Sequence, residues 1–224
     1  MIDQVDQSDL PFRILVARHG ATMVYTQMIW ADRFLSDPQY HDFHLNDVKA
    51  WCKRKDIEQD LTKIPLIVQL GGNDVERVLR TAKCFEPWCD GIDLNMGCPQ
   101  THALQNGYGA SLLFRKNHDQ AISIGISTSS LSYKCKEKAH IWNLVLLSRQ
   151  AGASWITLHP RFISCRRRRK GSPFLRFVKE LKQAVKIPVI SNGGVRSYSD
   201  FEKNLNETGA DGLMVGEPLL TNPL

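Results

Sequence analysis

The feature that most constrains the fold is a repeated alternation of short apolar runs with segments of helical periodicity. The run PLIVQL at 65–70 is closed by Gly71 and Gly72, and a helix is predicted from Asp74, a suitable N-cap, to about Phe85. Strands that are apolar on both faces and alternate with helices are typical of a parallel sheet covered on each side. The chain is therefore predicted to be an α/β protein.

The same alternation runs through most of the chain. Predicted strands lie at 22–25, 65–70, 92–95, 155–159, 188–191 and 212–215, and predicted helices at 10–19, 74–85, 141–150, 173–185 and 199–206. This number of units favours a (β/α)8 TIM barrel, with a doubly wound sheet as the alternative. Because no full strand precedes the first predicted helix, we expect a barrel that is incomplete at its N-terminal strand.

Composition predicts a soluble protein with a basic surface. A net charge of +6 favours an anionic partner such as nucleic acid, without separating a nucleic-acid binder from a basic enzyme. No apolar run approaches the roughly 18 residues of a membrane span, and a signal-peptide pattern is absent. The six cysteines contain no C-x-x-C pair, and the spacing of Cys84 and Cys89 is not that of common zinc sites. We therefore expect reduced thiols, no metal, and a cytoplasmic or nuclear location.

The stretch GIDLNMGCPQ at 91–100 places a cysteine at the end of a predicted strand. Ile92 and Leu94 alternate with polar neighbours as in a strand, and Gly97 and Pro99 force a tight turn. Cys98 is thereby predicted on a loop at the carboxyl end of a strand, where α/β folds keep their catalytic groups. For an isolated Gly-Cys-Pro, a buried structural cysteine is the alternative.

Eight segments, in order along the chain, resemble the flavin-dependent tRNA-dihydrouridine synthases. The ordered set is far more specific than any one segment. The segments are VDQSDLPFR (5–13), YTQM (25–28), PLIVQL (65–70), DLNMGCPQ (93–100), GYGASLL (107–113), ITLHPR (156–161), IPVISNGG (187–194) and GLMVGEPLLTNP (212–223). The VDQSDLP segment and the pair Gly216-Glu217, where many relatives carry Gly-Arg, are most similar to the eukaryotic branch that modifies uridines 16 and 17 of the tRNA D-loop.

The resemblance implies that residues 1–224 are an FMN-binding TIM-barrel catalytic domain that reduces the C5–C6 double bond of uridine in tRNA, with NADPH as reductant. Reduced flavin gives a hydride to C6, and an acid on the opposite face must give a proton to C5. A thiol is mostly protonated at neutral pH and can donate that proton, the role that the family gives to the cysteine matching Cys98. A monomer that lacks the family's C-terminal helical tRNA-binding domain is expected.

The same resemblance assigns the cofactor contacts. Gln69 would face the flavin ring, Asn95 would lie beside the cysteine loop, and His159 would bind flavin or phosphate, although its neighbours depart from the family's H-G-R-T pattern. Two glycine-containing turns would hold the phosphate, because glycine permits close approach and a following helix contributes its dipole. The residues of these turns are Asn192, Gly193, Gly194, Gly216 and Glu217.

A flavin-contacting lysine closes the fifth strand in the family, and two alignments are open for it. The preferred alignment uses a Cys-Lys pair and selects Lys136, which requires residues 123–132 to be helical against their Ser, Thr and Ile content. The alternative matches ISIGI at 122–126 as the strand and places Gly125 at the lysine position.

A basic run follows the strand that contains His159. Five consecutive cations could neutralise several tRNA phosphates in a salt-sensitive contact. A solvated loop or a nuclear-localisation-like run is the alternative. The predicted nucleic-acid contacts are Arg161, Arg166, Arg167, Arg168, Arg169 and Lys170.

Two other functions compete with tRNA-uridine reduction. The family's first strand carries Ala-Pro-Met against the flavin, and here Ile2, Asp3 and Gln4 take those positions, so a catalytically inactive remnant with at most weak RNA binding is the second hypothesis. A different FMN barrel that acts on a free small molecule is the third. That hypothesis does not explain DLNMGCPQ followed by GYGA.

Overall fold

The computed structural model describes residues 8–57, 61, 63–114, 130–135, 152–162 and 172–221. The chain groups into two compact units. Unit 1 consists of residues 1–93 and 216–224, and unit 2 of residues 94–215.

Unit 1 carries three short parallel strands and the start of a fourth. β1 (Val24–Tyr25) and β2 (Ile29–Trp30) both pair in parallel with β3 (Leu66–Gly71), and β4 (Gly91–Met96) begins in this unit. All six residues of β3 are buried, which confirms the strand predicted from PLIVQL. Its helices are Leu10–Arg18, Ala31–Ser36, Pro38–Ile57, Val75–Phe85 and Glu217–Thr221.

Helix ends in unit 1 follow the local sequence. Asp74 caps Val75–Phe85, as predicted, by accepting a hydrogen bond from the N–H of Arg77 at 2.9 Å. The sequence analysis missed Ala31–Ser36 and Pro38–Ile57. A start signal for the second was present, because Pro38 opens the helix and the Asp37 carboxylate accepts from Tyr40 N–H at 3.1 Å.

Unit 2 continues β4 and adds four more parallel strands. These are β5 (Ser130–Cys135), β6 (Trp155–Phe162), β7 (Val189–Asn192) and β8 (Gly212–Met214). β5 pairs with β6, β6 with β7 and β7 with β8, all in parallel. Its helices are Thr101–Gln105, Arg176–Ala184 and Tyr198–Thr208. Parallel neighbours joined through helices confirm the predicted α/β class, while closure into a barrel stays a prediction.

The position of β5 corrects one expectation. Residues 130–132 were expected to be helical under the preferred lysine alignment, and they form the first half of a strand. Pairing of the backbone with β6 prevails over a helical assignment. β5 ends at Cys135, directly before Lys136 in the sequence, as that alignment requires.

Several predicted features lie outside the described residues. They are the N-terminal positions 1–7, the alternative strand at 122–126, Lys136, the helix at 141–150 and the basic run 166–170. Within the described ranges, the helices are too short or too polar to cross a membrane.

Candidate functional site

Cys98 lies on the loop after β4, as the sequence predicted. β4 ends at Met96, and the next helix, Thr101–Gln105, begins after Gln100. The Cys98 side chain is a reduced thiol that is only 1% exposed. The loop therefore carries the sulfur inward at the carboxyl end of a strand. Because a structural cysteine would also be buried, burial alone does not distinguish a structural from a catalytic role, and the contacts around Cys98 are more informative.

The Asn95 side chain holds the cysteine loop. Its Oδ1 accepts hydrogen bonds from the N–H groups of Gly97 and Cys98, each at 2.9 Å. This is the side-chain-to-backbone turn that Asn forms readily. The sequence analysis gave Asn95 to the flavin, whereas the contacts shown for its side-chain oxygen are to the loop of Cys98.

The GYGA loop packs closely against Cys98. The Ala110 N–H donates to the Cys98 carbonyl at 2.9 Å. Gly109 has a φ of +59°, and a Cβ there would lie 2.8 Å from the Cys98 carbonyl oxygen and 3.0 Å from its Cβ. Only glycine fits this approach. The motif was recognised in the sequence, but Gly109 was given no role.

A tyrosine and a histidine fasten the GYGA loop to the short helix before it. The buried Tyr108 has its hydroxyl oxygen 2.9 Å from His102 Nδ1, and its N–H donates to the Ala103 carbonyl at 3.1 Å. Hydrogen bonds therefore connect the residues from 97 to 110 to one another around the thiol.

In unit 1, Gln69 lies on β3 with its amide fixed. Its Nε2 donates to Asp93 Oδ2 at 2.8 Å, and its backbone N–H donates to Thr26 Oγ1 at 3.0 Å. With the amide nitrogen facing Asp93, the direction of the amide oxygen is set as well. Asp93 is fully buried and was missed by the sequence analysis. An acidic residue within a strand predicted to be buried was the signal in the sequence that could have identified Asp93.

The carboxyl ends of β6 and β7 bring His159 and Arg161 to a glycine turn. Both residues lie near the carboxyl end of β6, where the pairing with β5 is irregular. A Cβ on Gly193 would lie 3.4 Å from His159 Cε1 and 3.8 Å from Arg161 Nη1. Gly193 and Gly194 have φ values of +115° and +82°, and a Cβ on Gly194 would lie 2.5 Å from Pro173 Cγ. Both positions therefore require glycine.

This turn fits a phosphorylated cofactor. Consecutive positive-φ glycines expose backbone N–H groups at close range, and an imidazole and a guanidinium add side-chain donors beside them. The adjacent Asn192 is buried, and its Nδ2 contacts Met214 Sδ at 3.1 Å. Its Oδ1 has no hydrogen-bond partner among the described residues, and a ligand donor would satisfy it.

The start of the helix after this turn is partly occupied by hydrogen bonds within the chain. The helix Tyr198–Thr208 begins with a capping box, in which Ser197 Oγ accepts from the Asp200 N–H. The Asp200 carboxylate accepts from the N–H groups of Arg196 and Ser197, and these hydrogen bonds lower the pKa of Asp200. The N–H groups of Ser197 and Asp200 are thus engaged within the chain.

No contact described for the remaining predicted residues joins them to the glycine turn at Gly193 and Gly194. Gly216 and Glu217 belong to unit 1, where the Leu219 N–H donates to the Gly216 carbonyl at 2.8 Å. Lys136 and the run from Arg166 to Lys170 lie outside the described residues. Over the ranges that are described, no cluster of three His, Cys, Asp or Glu residues is arranged to hold a metal ion.

The sequence is similar to one protein family over nearly its whole length. The dihydrouridine synthase model matches residues 4–224. The tRNA-dihydrouridine(16/17) synthase-like protein of Rattus norvegicus is 33% identical over 227 residues, which cover 98% of this chain and 49% of the rat protein. The tRNA-dihydrouridine(20a/20b) synthase-like protein of Homo sapiens is 33% identical over 228 residues, covering 98% and 67%. The names of both proteins include NAD(P)+. The chain spans about half to two thirds of the length of these relatives.

Solved structures similar to this chain are enzymes of the TIM-barrel type. The aldolase QR15 superposes with a TM-score of 0.59 at 15% identity, covering 93% of this chain and 83% of the aldolase. The N-acetylmannosamine-6-phosphate 2-epimerase of Clostridium perfringens gives a TM-score of 0.52 at 15% identity, covering 95% and 83%. At these identities the likeness concerns the fold alone.

Proposed function

Because the chain belongs to the dihydrouridine synthase family, we propose that it reduces the C5–C6 double bond of a uridine in tRNA. The proposal includes FMN as the bound cofactor and NADPH as the reductant. The observation that carries it is the position of Cys98. The thiol lies at the carboxyl end of β4, on a loop fixed by the Asn95 side chain on one side and by the close approach of Gly109 on the other.

Cys98 is the proposed proton donor. FMN, once reduced by NADPH, would supply the hydride that adds to C6 of the uracil. The Cys98 thiol would transfer its proton from Sγ to C5, which completes the reduction and leaves a thiolate that solvent reprotonates. Burial of the side chain would limit competition from bulk water as the donor while the uridine is bound, and reprotonation would follow once the product leaves. The Asn95 oxygen and the Ala110 N–H hold the Cys98 backbone, so the direction of its Cβ is set before substrate binds.

The glycine turn after β7 is the proposed phosphate site. Gly193 and Gly194 would donate backbone N–H groups, and His159 would hold the phosphate from β6. The sequence analysis gave Arg161 to RNA, but its guanidinium lies beside Gly193, which favours the cofactor phosphate as its partner. Asn192 would receive a donor from the cofactor at its buried oxygen.

Three further cofactor contacts rest on the family resemblance. Gln69 would direct its amide toward the flavin ring, Lys136 would follow β5, and Gly216 with Glu217 would add to the phosphate site. The fixed amide of Gln69 and the end of β5 at Cys135 agree with the first two.

The target position in tRNA is proposed as uridines 16 and 17. The VDQSDLP segment and Gly216-Glu217 favour it, and the basic run from Arg166 to Lys170 would contact the tRNA phosphates. Relatives named for positions 20a and 20b match this chain as well as those named for 16 and 17. Mapping dihydrouridine along an unmodified tRNA after reaction decides between the two positions.

An inactive family member is the second candidate. The residues Ile2, Asp3 and Gln4 at the family's Ala-Pro-Met position favour it. The test is a visible spectrum of the purified chain with and without added FMN, followed by incubation with unmodified tRNA and either NADPH or NADH. Flavin near one per chain and formation of dihydrouridine support the enzyme. A protein that stays colourless with FMN in excess and forms no product would be an inactive family member.

A further inference from the structure

Three exposed aromatic side chains lie past the carboxyl ends of β6 and β7. Within the described part of unit 2, they are the large apolar side chains that remain exposed: Phe174 at 40%, Tyr198 at 78% and Phe201 at 39%. We call them the aromatic rim. The Phe174 N–H donates to the Pro160 carbonyl of β6 at 2.7 Å, so this segment folds back onto the end of that strand. Tyr198 and Phe201 lie in the first turns of the helix that follows β7.

The rings of the aromatic rim are oriented by contacts with neighbouring rings. The Tyr198 and Phe201 rings are nearly parallel, with an angle of 8° and centroids 6.3 Å apart. Phe174 is anchored against Phe162 and Phe177, with centroid distances of 5.0 and 5.8 Å. Exposed aromatic faces held by neighbouring rings are available to stack against a ligand.

Arginines lie among the rim residues. The Arg176 guanidinium lies 6.0 Å from the Phe174 ring centroid, and the exposed Arg196 precedes Tyr198 by two residues. The nearby carboxylate of Asp200 accepts hydrogen bonds from the N–H groups of Arg196 and Ser197, which directs it to the backbone. Aromatic faces interleaved with cations are the arrangement that binds single-stranded nucleic acid, because bases stack while phosphates meet positive charge.

We propose that the aromatic rim stacks unpaired bases of an RNA loop, with Tyr198 as the main stacking residue and Arg196 beside a phosphate. This inference rests on the proposed function. A uridine that is reduced must leave its stack, and its neighbours then need new stacking partners. Cys98 lies in the same unit, also at the carboxyl end of a strand, and parallel strands bring these ends to one edge of the sheet.

The test is the binding of labelled unmodified tRNA to the whole chain, measured by fluorescence anisotropy over a series of salt concentrations. Tyr198→Ala should weaken binding about tenfold, because one base loses its stacking partner. Tyr198→Trp should retain the affinity. The slope of log K against log salt should be unchanged in Tyr198→Ala and shallower by about one in Arg196→Gln, which removes one phosphate contact.

Phe43→Ala provides the matched control. Phe43 is a 56% exposed aromatic on the helix Pro38–Ile57 of unit 1, and its removal should leave RNA binding unchanged. Wild-type affinity of Tyr198→Ala at every salt concentration overturns the inference and leaves the proposed function standing. A changed salt slope in Tyr198→Ala also overturns it, since stacking is not ionic. A parent chain that binds no tRNA overturns it too, and FMN binding then tests the proposed function separately.

Discussion

Asn95 Oδ1 accepts a hydrogen bond from the backbone N–H of Cys98 at 2.9 Å. Asn95 is part of β4 itself, so the loop that carries the candidate proton donor is tied to the strand that precedes it. The position of the thiol is thereby set by the sheet, with Gly109 restricting it from the other side. A catalytic group held by a rigid element is placed more accurately than one on a free loop.

Replacing Asn95 by Ala should loosen the Cys98 loop. Two N–H groups, of Gly97 and Cys98, would lose their acceptor, and each buried unsatisfied group costs about 1–3 kcal/mol. We expect lower stability in urea and faster alkylation of the Cys98 peptide by iodoacetamide, read by mass spectrometry. Asn95→Asp keeps an acceptor at this position and should restore slow alkylation. Equal alkylation rates in wild type and Asn95→Ala would show that the side chain does not hold the loop.

Replacing Gly109 by Ala should displace Cys98. The added Cβ would lie 2.8 Å from the Cys98 carbonyl oxygen, at a backbone φ of +59°. Gly209→Ala is the matched control, because its φ is +65° and a Cβ there meets nothing within 4 Å. Both variants carry the left-handed strain of about 1–2 kcal/mol, and Gly109→Ala should lose about 1–3 kcal/mol more through the clash. Chemical denaturation measures both, and equal losses would argue against a tight contact at Cys98.

The sequence predicted the strand ends more successfully than the contacts between side chains. PLIVQL and GIDLNMGCPQ specified β3, β4 and the Cys98 loop, because apolar alternation and turn residues act locally. The hydrogen bond from Gln69 to Asp93 joins residues 24 positions apart, and the Gly109 contact depends on how a loop folds back. Neither is encoded in a local pattern.

The largest errors came where local propensity was ambiguous. Ser130–Cys135 is a strand because it pairs with β6, which its own sequence does not reveal. The helix Pro38–Ile57 is not marked by an apolar run, although no glycine interrupts its 20 residues. The position of Arg161 beside Gly193 likewise required the fold, since the two lie on different strand ends.

Substitution of His159 and Arg161 should weaken binding of FMN but not of riboflavin. Both side chains lie beside Gly193, and their hydrogen bonds to a phosphate, charge-assisted in the case of Arg161, are weakened in His159→Gln and Arg161→Gln. We expect about a tenfold rise in the Kd of FMN for each variant, measured by quenching of flavin fluorescence. Riboflavin lacks the phosphate and is the control ligand. Equal losses for both flavins would place these side chains away from the phosphate.

The stability of the fold should fall between pH 6.5 and pH 4 through His44. Burial, together with the charges of Arg33 and Arg13, lowers the pKa of His44 from 6.5 to about 4. The unfolded chain therefore binds a proton in this range that the folded chain does not, so the free energy of unfolding decreases as the pH falls. The loss should be on the order of 2–3 kcal/mol.

His44→Phe should remove this pH dependence, because the ring packs edge-on against Tyr40 and a phenyl ring keeps that contact. His19→Gln is the control, since His19 is exposed. The measurement is urea denaturation at pH 4.5 and pH 7. A pH dependence that persists unchanged in His44→Phe would assign it to other groups.

The central claim is tested most directly by Cys98→Ala in single-turnover experiments with the FMN-loaded chain. NADPH is first added to measure reduction of the flavin, and unmodified tRNA is then added to measure its reoxidation and the dihydrouridine formed. We predict a rate of flavin reduction close to that of wild type and product formation slowed by about 100-fold or more, as expected for loss of a general acid. Dihydrouridine formation at the wild-type rate in Cys98→Ala would contradict the assignment of Cys98 as the proton donor.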